Sequence, residues 1–375
     1  MLGFVGTEAA MRMFASLELE PRPLGRAAAA AGALCALIAL GNRGGRWLDP
    51  ALLGYLIASV FACFGVAYRY FSWLERPATA MYWRWTVRTY LGPRGLLRLP
   101  RLGLTLLDQM FLQRFIQRRS ARRWGAHACL AWGCLLAFAV TFPLVFGWAR
   151  FTSEGSNADR YQAWLFGFPA GSFPLHSPQA WITFHILDLA ALMVLAGCVL
   201  AFLRRSRDEG DTATQRFDLD ILPLLLLIAV AATGLLLTVS EAWLQGRNFG
   251  TLAFIHELTV ILLLLFLPFG KLFHIVQRPA QAGVSRYKAE GEALGLLPCA
   301  ACRTPFIRAN QHADLGRLWR ELGLDGGRRH LDLCPRCKRR LLLKAHDLRL
   351  HGAFDPFADV PLPVEPLADP ISFRS

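Results

Sequence analysis

The sequence predicts an all-α integral membrane helical bundle of five or six spans, followed by a small zinc-ribbon-like metal domain. Three observations predict it. The chain of 375 residues is 54% hydrophobic and only 18% charged, with mean hydropathy +0.34, which is too apolar for an ordinary soluble protein. Its apolar residues gather in long runs, and a run of about 20 residues crosses a hydrocarbon core of about 30 Å. Beyond the last run, a charged region carries two C-x2-C pairs, Cys299/Cys302 and Cys334/Cys337.

The apolar runs cover 26–41, 51–71, 124–148, 179–203, 221–243 and 251–275. The first is short and Ala-rich. It reads as a sixth span, a surface helix or an uncleaved signal-anchor, because no small-residue cleavage site precedes a polar start. The net charge of +14 is unevenly placed. Lysine and arginine crowd 69–123, 204–216 and everything after Lys271, whereas 149–178 and 244–250 hold few. The positive-inside rule therefore puts the first three regions in the cytoplasm, and alternating spans give the same sides. The chain is expected to be multi-pass in the cell's inner (cytoplasmic) membrane, with the bilayer as its solvent and the C-terminal domain inside. The cations then report topology, and no nucleic acid is expected as a partner.

Four regions follow: a polar leader (1–25), the membrane domain (26–278), a four-cysteine domain (279–352) and a Pro-rich tail (353–375). The connection 72–123, with its MYWRWTVRTYLGPRG run, suggests interfacial helices. The loop 149–178 is rich in Gly, Ser and Pro and has turn character. Cys35, Cys63, Cys129, Cys134 and Cys198 fall inside spans and read as small apolar packers.

Histidines supply the candidate chemistry. Polar groups in hydrocarbon are costly and usually face the bundle interior or mark function. Four lie within the spans: His127, His185, His256 and His274. His256 and His274 are 18 residues apart, which on one continuous helix is five turns, one face and a rise of roughly 27 Å. With 69–123 inside, His127 and His274 lie near the cytoplasmic surface, and His185 and His256 near the outer one. Two pairs at two depths are what bis-histidine ligation of two stacked haem groups requires. The competing reading is that each histidine is an interior hydrogen bonder or part of a proton path. His176, in the outer loop, is an alternative to His185. Gly133, Gly197 and Gly234 either admit a flat macrocycle or mark close helix packing. Arg122, Arg123, Lys271 and Arg278 either meet propionates or anchor the chain at the membrane surface. Asp188, one turn after His185, and Glu257, beside His256, would accept quinol protons, orient an imidazole or stay solvated.

The two histidines in the last span, the PFGKLFHI run (268–275) and the GAHACLAWG run (125–133) after a basic stretch carry a resemblance. Over roughly residues 51–278 the chain resembles the cytochrome b membrane subunit (gamma subunit) of respiratory nitrate reductase. It also resembles haem-b membrane subunits of sulfite-reductase-linked and heterodisulfide-reductase-like complexes. The resemblance implies five spans, two haem b groups and quinol oxidation near the outer haem. Electrons would pass to a cytoplasmic iron–sulfur subunit. It makes His127 and His274 ligands of the inner haem and His256 one ligand of the outer. The family's second histidine in the earlier span falls at Ala137 here, so His185 would have to supply the fourth ligand. Nitrate itself is not implied.

Cys299, Cys302, Cys334 and Cys337 form two knuckles in a reducing compartment, where a tetrathiolate site is expected rather than disulfides. Zinc is the leading ion because it can hold together a domain too small for a large core. Iron is the alternative and would extend an electron path. Docking to a protein suits the tethered domain better than nucleic acid. The function expected from the sequence is a membrane-anchor cytochrome b exchanging electrons between the quinone pool and an iron–sulfur partner. A proton-coupled transporter and a haem-free zinc adaptor are the rivals, and few spans with no repeat weigh against the transporter.

Overall fold

A computed structural model describes residues 20–93, 95–153, 159–207, 215–324 and 330–349. The Pro-rich tail and most of the leader lie outside them. The described end of the leader, from Pro21, belongs to the first helix.

The helices in chain order are α1 (Pro21–Gly41), α2 (Leu53–Glu75), α3 (Pro77–Leu91), α4 (Leu99–Leu106), α5 (Arg114–Gln117), α6 (Ala121–Val145), α7 (Pro178–Arg205), α8 (Leu222–Trp243), α9 (Phe249–Phe266), α10 (His274–Ala280), α11 (Ala282–Ala293), α12 (Ala309–Glu321) and α13 (Pro335–Arg349). Among the described residues six helices are long and apolar enough to cross a membrane, α1 included. Within their most apolar windows only 11–22% of residues are buried against the rest of the chain. The outward side chains include Ile57, Leu189, Leu236 and Leu262. Such a surface suits lipid, where a helix satisfies its own backbone.

Helix starts follow local chemistry. The Ser120 hydroxyl accepts from the Arg123 N–H at 3.4 Å, and the Ser177 hydroxyl accepts from the Ala180 N–H at 3.2 Å. Proline fills the first turn of α1, α7 and α8, where its missing N–H costs nothing. The bundle closes through small residues. A Cβ at Gly133 would lie 2.8 Å from Val194, and one at Gly197 would lie 2.7 Å from Leu130. These glycines let α6 and α7 touch backbone to side chain, so they are packing residues rather than space for a macrocycle. Cys198 is fully buried in the cluster of Val194, Leu224, Leu227, Ala231 and Leu263, as a small apolar packer.

Three features depart from the sequence reading. First, 251–275 is not one helix. α9 ends at Phe266, and a turn and a short 3-10 segment (Lys271–Phe273) precede α10. Pro268 has no N–H to continue the ladder. The freed carbonyls of Pro268 and Gly270 accept from the Arg69 guanidinium at 2.5 and 3.0 Å. His256 and His274 therefore stand on separate helices, and the single-stripe argument does not hold.

Second, the loop 149–178 folds as an antiparallel meander of β1 (Ala149–Ser153), β2 (Arg160–Leu165) and β3 (Phe168–Pro174). Phe166 and Gly167, at φ +47 and +84, make the two-residue hairpin turn that needs positive φ at both positions. Phe-Gly is not a standard turn signal, and the strand alternation is short.

Third, the chain divides into two compact units: Met1–Trp73 with Leu104–Pro279, and Leu74–Gly103 with Ala280–Ser375. α3, assigned to the membrane domain on sequence grounds, belongs to the second unit. There Tyr82 and Trp85 meet the buried Tyr287 edge-on, with ring centres 5.1 and 5.3 Å apart. The Tyr287 hydroxyl donates to Asp314 at 2.7 Å. The strands β4 (Leu296–Pro298) and β5 (Pro305–Arg308) form a hairpin in the same unit.

Replacing Gly133 with leucine should force α6 and α7 apart and destabilise the bundle by about 1–3 kcal/mol. Gly25→Ala, with nothing within 4 Å of the added carbon, should leave it intact. Thermal unfolding of both variants in detergent measures the difference, and an unchanged midpoint for the Gly133 variant would contradict the close contact.

Candidate functional site

The membrane unit brings two of the four histidines together. The rings of His127, in the second turn of α6, and His274, at the start of α10, have centres 6.1 Å apart and planes at 61°. His127 Nδ1 meets Gln113 Oε1 at 2.8 Å. His274 Nδ1 donates to the Lys271 carbonyl at 2.6 Å. These acceptors assign the proton to Nδ1 in both rings and leave each Nε2 lone pair free, the tautomer that a metal-ligating histidine needs.

Both rings line a cavity of about 540 Å³, a size typical of cofactor sites. α6 and α8 give it apolar walls, among them Leu130, Leu224 and Leu227, and Arg69, Arg205, Lys271 and Arg278 also line it. Asp220, the one acid among the lining residues, pairs with Lys271. Of the four cations singled out in the sequence, Lys271 and Arg278 reach this cavity. Arg122 and Arg123 are exposed and do not line it. Arg69, Arg205 and Gln113 were not singled out as site residues. Arg69 read as one more cytoplasmic cation, and Gln113 sits in a left-handed turn (φ +52) that no motif announces.

The other two histidines are tied to α8. His185 Nδ1 donates to Asp188 Oδ2 at 2.8 Å, and the Thr238 hydroxyl donates to Asp188 Oδ1 at 2.7 Å. Asp188 therefore uses both oxygens to hold one imidazole and one hydroxyl. His256 Nδ1 meets Thr233 Oγ1 at 2.9 Å. That hydroxyl donates to the Ala229 carbonyl at 2.7 Å, so it accepts from the ring. Gly234 lets the ring lie close on α8, because a Cβ there would be 3.3 Å from His256 Cε1. Among the described residues no ring contact joins His185 to His256. Glu257 does not turn toward His256; a Cβ on Gly54 of α2 would lie 2.3 Å from its Oε1. His176 is exposed. All four span histidines thus have Nδ1 engaged, but only His127 and His274 share a contact.

The second unit carries the cysteine cluster. The sulfurs of Cys299, Cys302, Cys334 and Cys337 all lie within 4.8 Å of one another, and Cys302 and Cys334 are 3.7 Å apart. Four thiolates at about 2.3 Å from one zinc ion stand close to 3.8 Å apart, so the cluster fits a tetrahedral ion such as zinc. The first pair sits in the β4–β5 loop, where the Cys299 N–H donates to the Thr304 carbonyl at 3.0 Å. The second opens α13. The Ala300 N–H donates to the Asp332 carbonyl at 2.9 Å and locks one knuckle to the other. The Cys334 N–H points at Cys299 Sγ, 3.2 Å away. Leu333, Phe306 and Leu341 pack around the sulfurs.

The Thr304 hydroxyl and backbone N–H hold the Cys302 thiol down to about 6. Burial, then bonds to the other three thiols, push Cys337 up to about 12. Four sulfurs this close do not all ionise by themselves, and a bound dication would supply the compensating charge.

Metal analysis of the purified chain should find close to one tetrahedral ion per chain. Cys299→Ser or Cys334→Ser should lose it and the fold of the second unit with it. Because protons compete for the thiolates, retention should fall on acidification, at a pH below the metal-free Cys302 value of about 6 because the ion holds the thiolate form. Retention of the full metal content in Cys299→Ser would contradict a four-sulfur site. Compared with known proteins, the chain matches no protein-family model, no curated protein and no solved structure.

Proposed function

We propose that the chain is a haem-b membrane subunit that exchanges electrons between the quinone pool and an iron–sulfur partner on the cytoplasmic side, with zinc in its cysteine domain. The His127–His274 pair carries the reading. Two imidazoles sharing one metal ion through bonds of about 2 Å would have ring centres roughly 6 Å apart. The observed separation is 6.1 Å. Each ring keeps Nε2 free because a protein oxygen engages Nδ1. The cavity beside them has apolar walls for a macrocycle and cations for its carboxylates.

Bound haem iron would supply one-electron transfer between potentials set by its ligands and surroundings. The chain's own residues do the rest. Gln113 and the Lys271 carbonyl orient the two imidazoles and raise their basicity. Arg69, Arg205 and Arg278 add positive charge to a wall of low dielectric. Leu130, Leu224 and Leu227 exclude water from it. Toward the opposite end of the bundle, Asp188 fixes His185, and Thr233 fixes His256. A second haem between these two rings is part of the reading. Its support is the shared Nδ1 engagement, and the inner pair has the stronger support because only there do the rings meet. Glu257 is left as the carboxylate best placed to accept a proton released at that level, since both oxygens of Asp188 are committed.

A reduced-minus-oxidised spectrum of the purified chain should show b-type haem, and a pyridine assay should count close to two. His127→Ala and His274→Ala should each remove the same haem and leave the zinc in place. A colourless protein that retains zinc would overturn the reading in favour of a membrane-tethered zinc scaffold.

A further inference from the structure

The break after α9 is irregular backbone in the membrane unit, and a single side chain meets it at three points. Arg69 lies on α2. Its Nη1 donates to the Pro268 carbonyl at 2.5 Å and to the Gly270 carbonyl at 3.0 Å. Its guanidinium lies over the ring of Phe273, 4.4 Å from the centre. Phe273 is 2% exposed and immediately precedes His274. One turn earlier on α2, Gly65 leaves no room for a side chain, because an added Cβ would stand 2.7 Å from the Pro268 ring. α2 is thus pressed onto the bend at Gly65 and bonded to it at Arg69.

The bend fixes the direction of His274. Its Nδ1 donates to the Lys271 carbonyl in the same short turn, so the ring follows the backbone of 270–273. The two ends of that turn are held by Arg69, one through the Gly270 carbonyl and the other through Phe273. Unsatisfied carbonyls at such a break are expensive where water is scarce, which ties the geometry of the turn to this one donor. Arginine suits the place better than lysine. Both hydrogen bonds leave from Nη1, and the planar guanidinium also stacks on the Phe273 ring, which an ammonium does less well.

We infer that Arg69 is the positioning residue for His274, holding its imidazole in register with His127 so that both can bind one metal centre. The inference rests on the haem reading above, and it adds a residue in a third helix. Loss of an orienting partner typically weakens a metal site by about 10–100-fold.

The test uses the full chain in detergent or lipid discs, as wild type, Arg69→Gln, Arg69→Lys and Phe273→Leu. Haem content, spin state and carbon monoxide binding by the reduced protein are measured, with zinc content and far-ultraviolet helix signal as controls. Wild type should be six-coordinate, low-spin and unreactive to carbon monoxide at the inner haem. Arg69→Gln should either retain that haem about 10–100-fold more weakly or keep it in a form that binds carbon monoxide, and added imidazole should restore the low-spin spectrum. Arg69→Lys should fall between. Should Arg69→Gln lose its helix signal, Phe273→Leu decides, since it removes the stacking and keeps both hydrogen bonds. Partial carbon monoxide binding supports the inference, and none overturns it. A haem-bearing wild type whose spectrum and carbon monoxide reactivity are unchanged in Arg69→Gln overturns this inference alone, whereas a haem-free wild type overturns the reading beneath it.

Discussion

A backbone carbonyl in hydrocarbon has no water to turn to, so every interruption of a spanning helix must bring its own donor. The last apolar run of this protein leaves its helix before Pro268, and the donor to the carbonyls beyond is Arg69, reaching from α2. Much of the membrane unit answers to that interaction. It explains why a charged side chain is tolerated at the end of an apolar helix, why Gly65 faces Pro268 without a side chain, and why His274 begins a new helix instead of ending the old one. Had α9 continued, the ring would point where an 18-residue spacing on one helix sends it. With the break, it meets His127.

The second organising principle is the use of Nδ1. Four histidines in or beside spans donate from that atom to four different acceptors: an amide oxygen, a backbone carbonyl, a carboxylate and a threonine hydroxyl. Chemically unrelated partners converge on one tautomer. That tautomer leaves Nε2 able to bind a metal, which the proposed reading requires of each ring. The cysteine domain follows the same logic with sulfur. A hairpin and a helix start present four thiols at a spacing that fits one tetrahedral ion, and the domain around them is small.

The six long helices and the four cysteines were legible because their signals are local. A run of apolar residues measures itself against a membrane, and C-x2-C needs only a turn. What was not legible depends on distant partners. Pro268 looked harmless in an apolar run, since the stretch 254–279 keeps its hydrophobicity through the break. Arg69 looked like one cation among many flanking a span, and only the fold shows it stacked on Phe273. Gly133 and Gly197 were open to two readings, and the proximity of Val194 and Leu130 decides for helix packing. The meander in 149–178 was hidden by its Gly and Pro content, and the place of α3 beside Tyr287 by the long stretch of chain between Trp85 and that ring. The pairing of His127 with His274 did emerge from charge topology and depth, although the argument from a continuous helix was not the reason for it.

The proposed function turns on whether His127 and His274 bind one iron. Electron–nuclear double resonance on the oxidised protein, with histidine labelled by nitrogen-15, tests it most directly. The account requires couplings from two labelled imidazole nitrogens on a single low-spin iron, with one coupling lost in His127→Ala and one in His274→Ala. Absence of a low-spin iron signal, or an iron whose nitrogen couplings are indifferent to both substitutions, would contradict it.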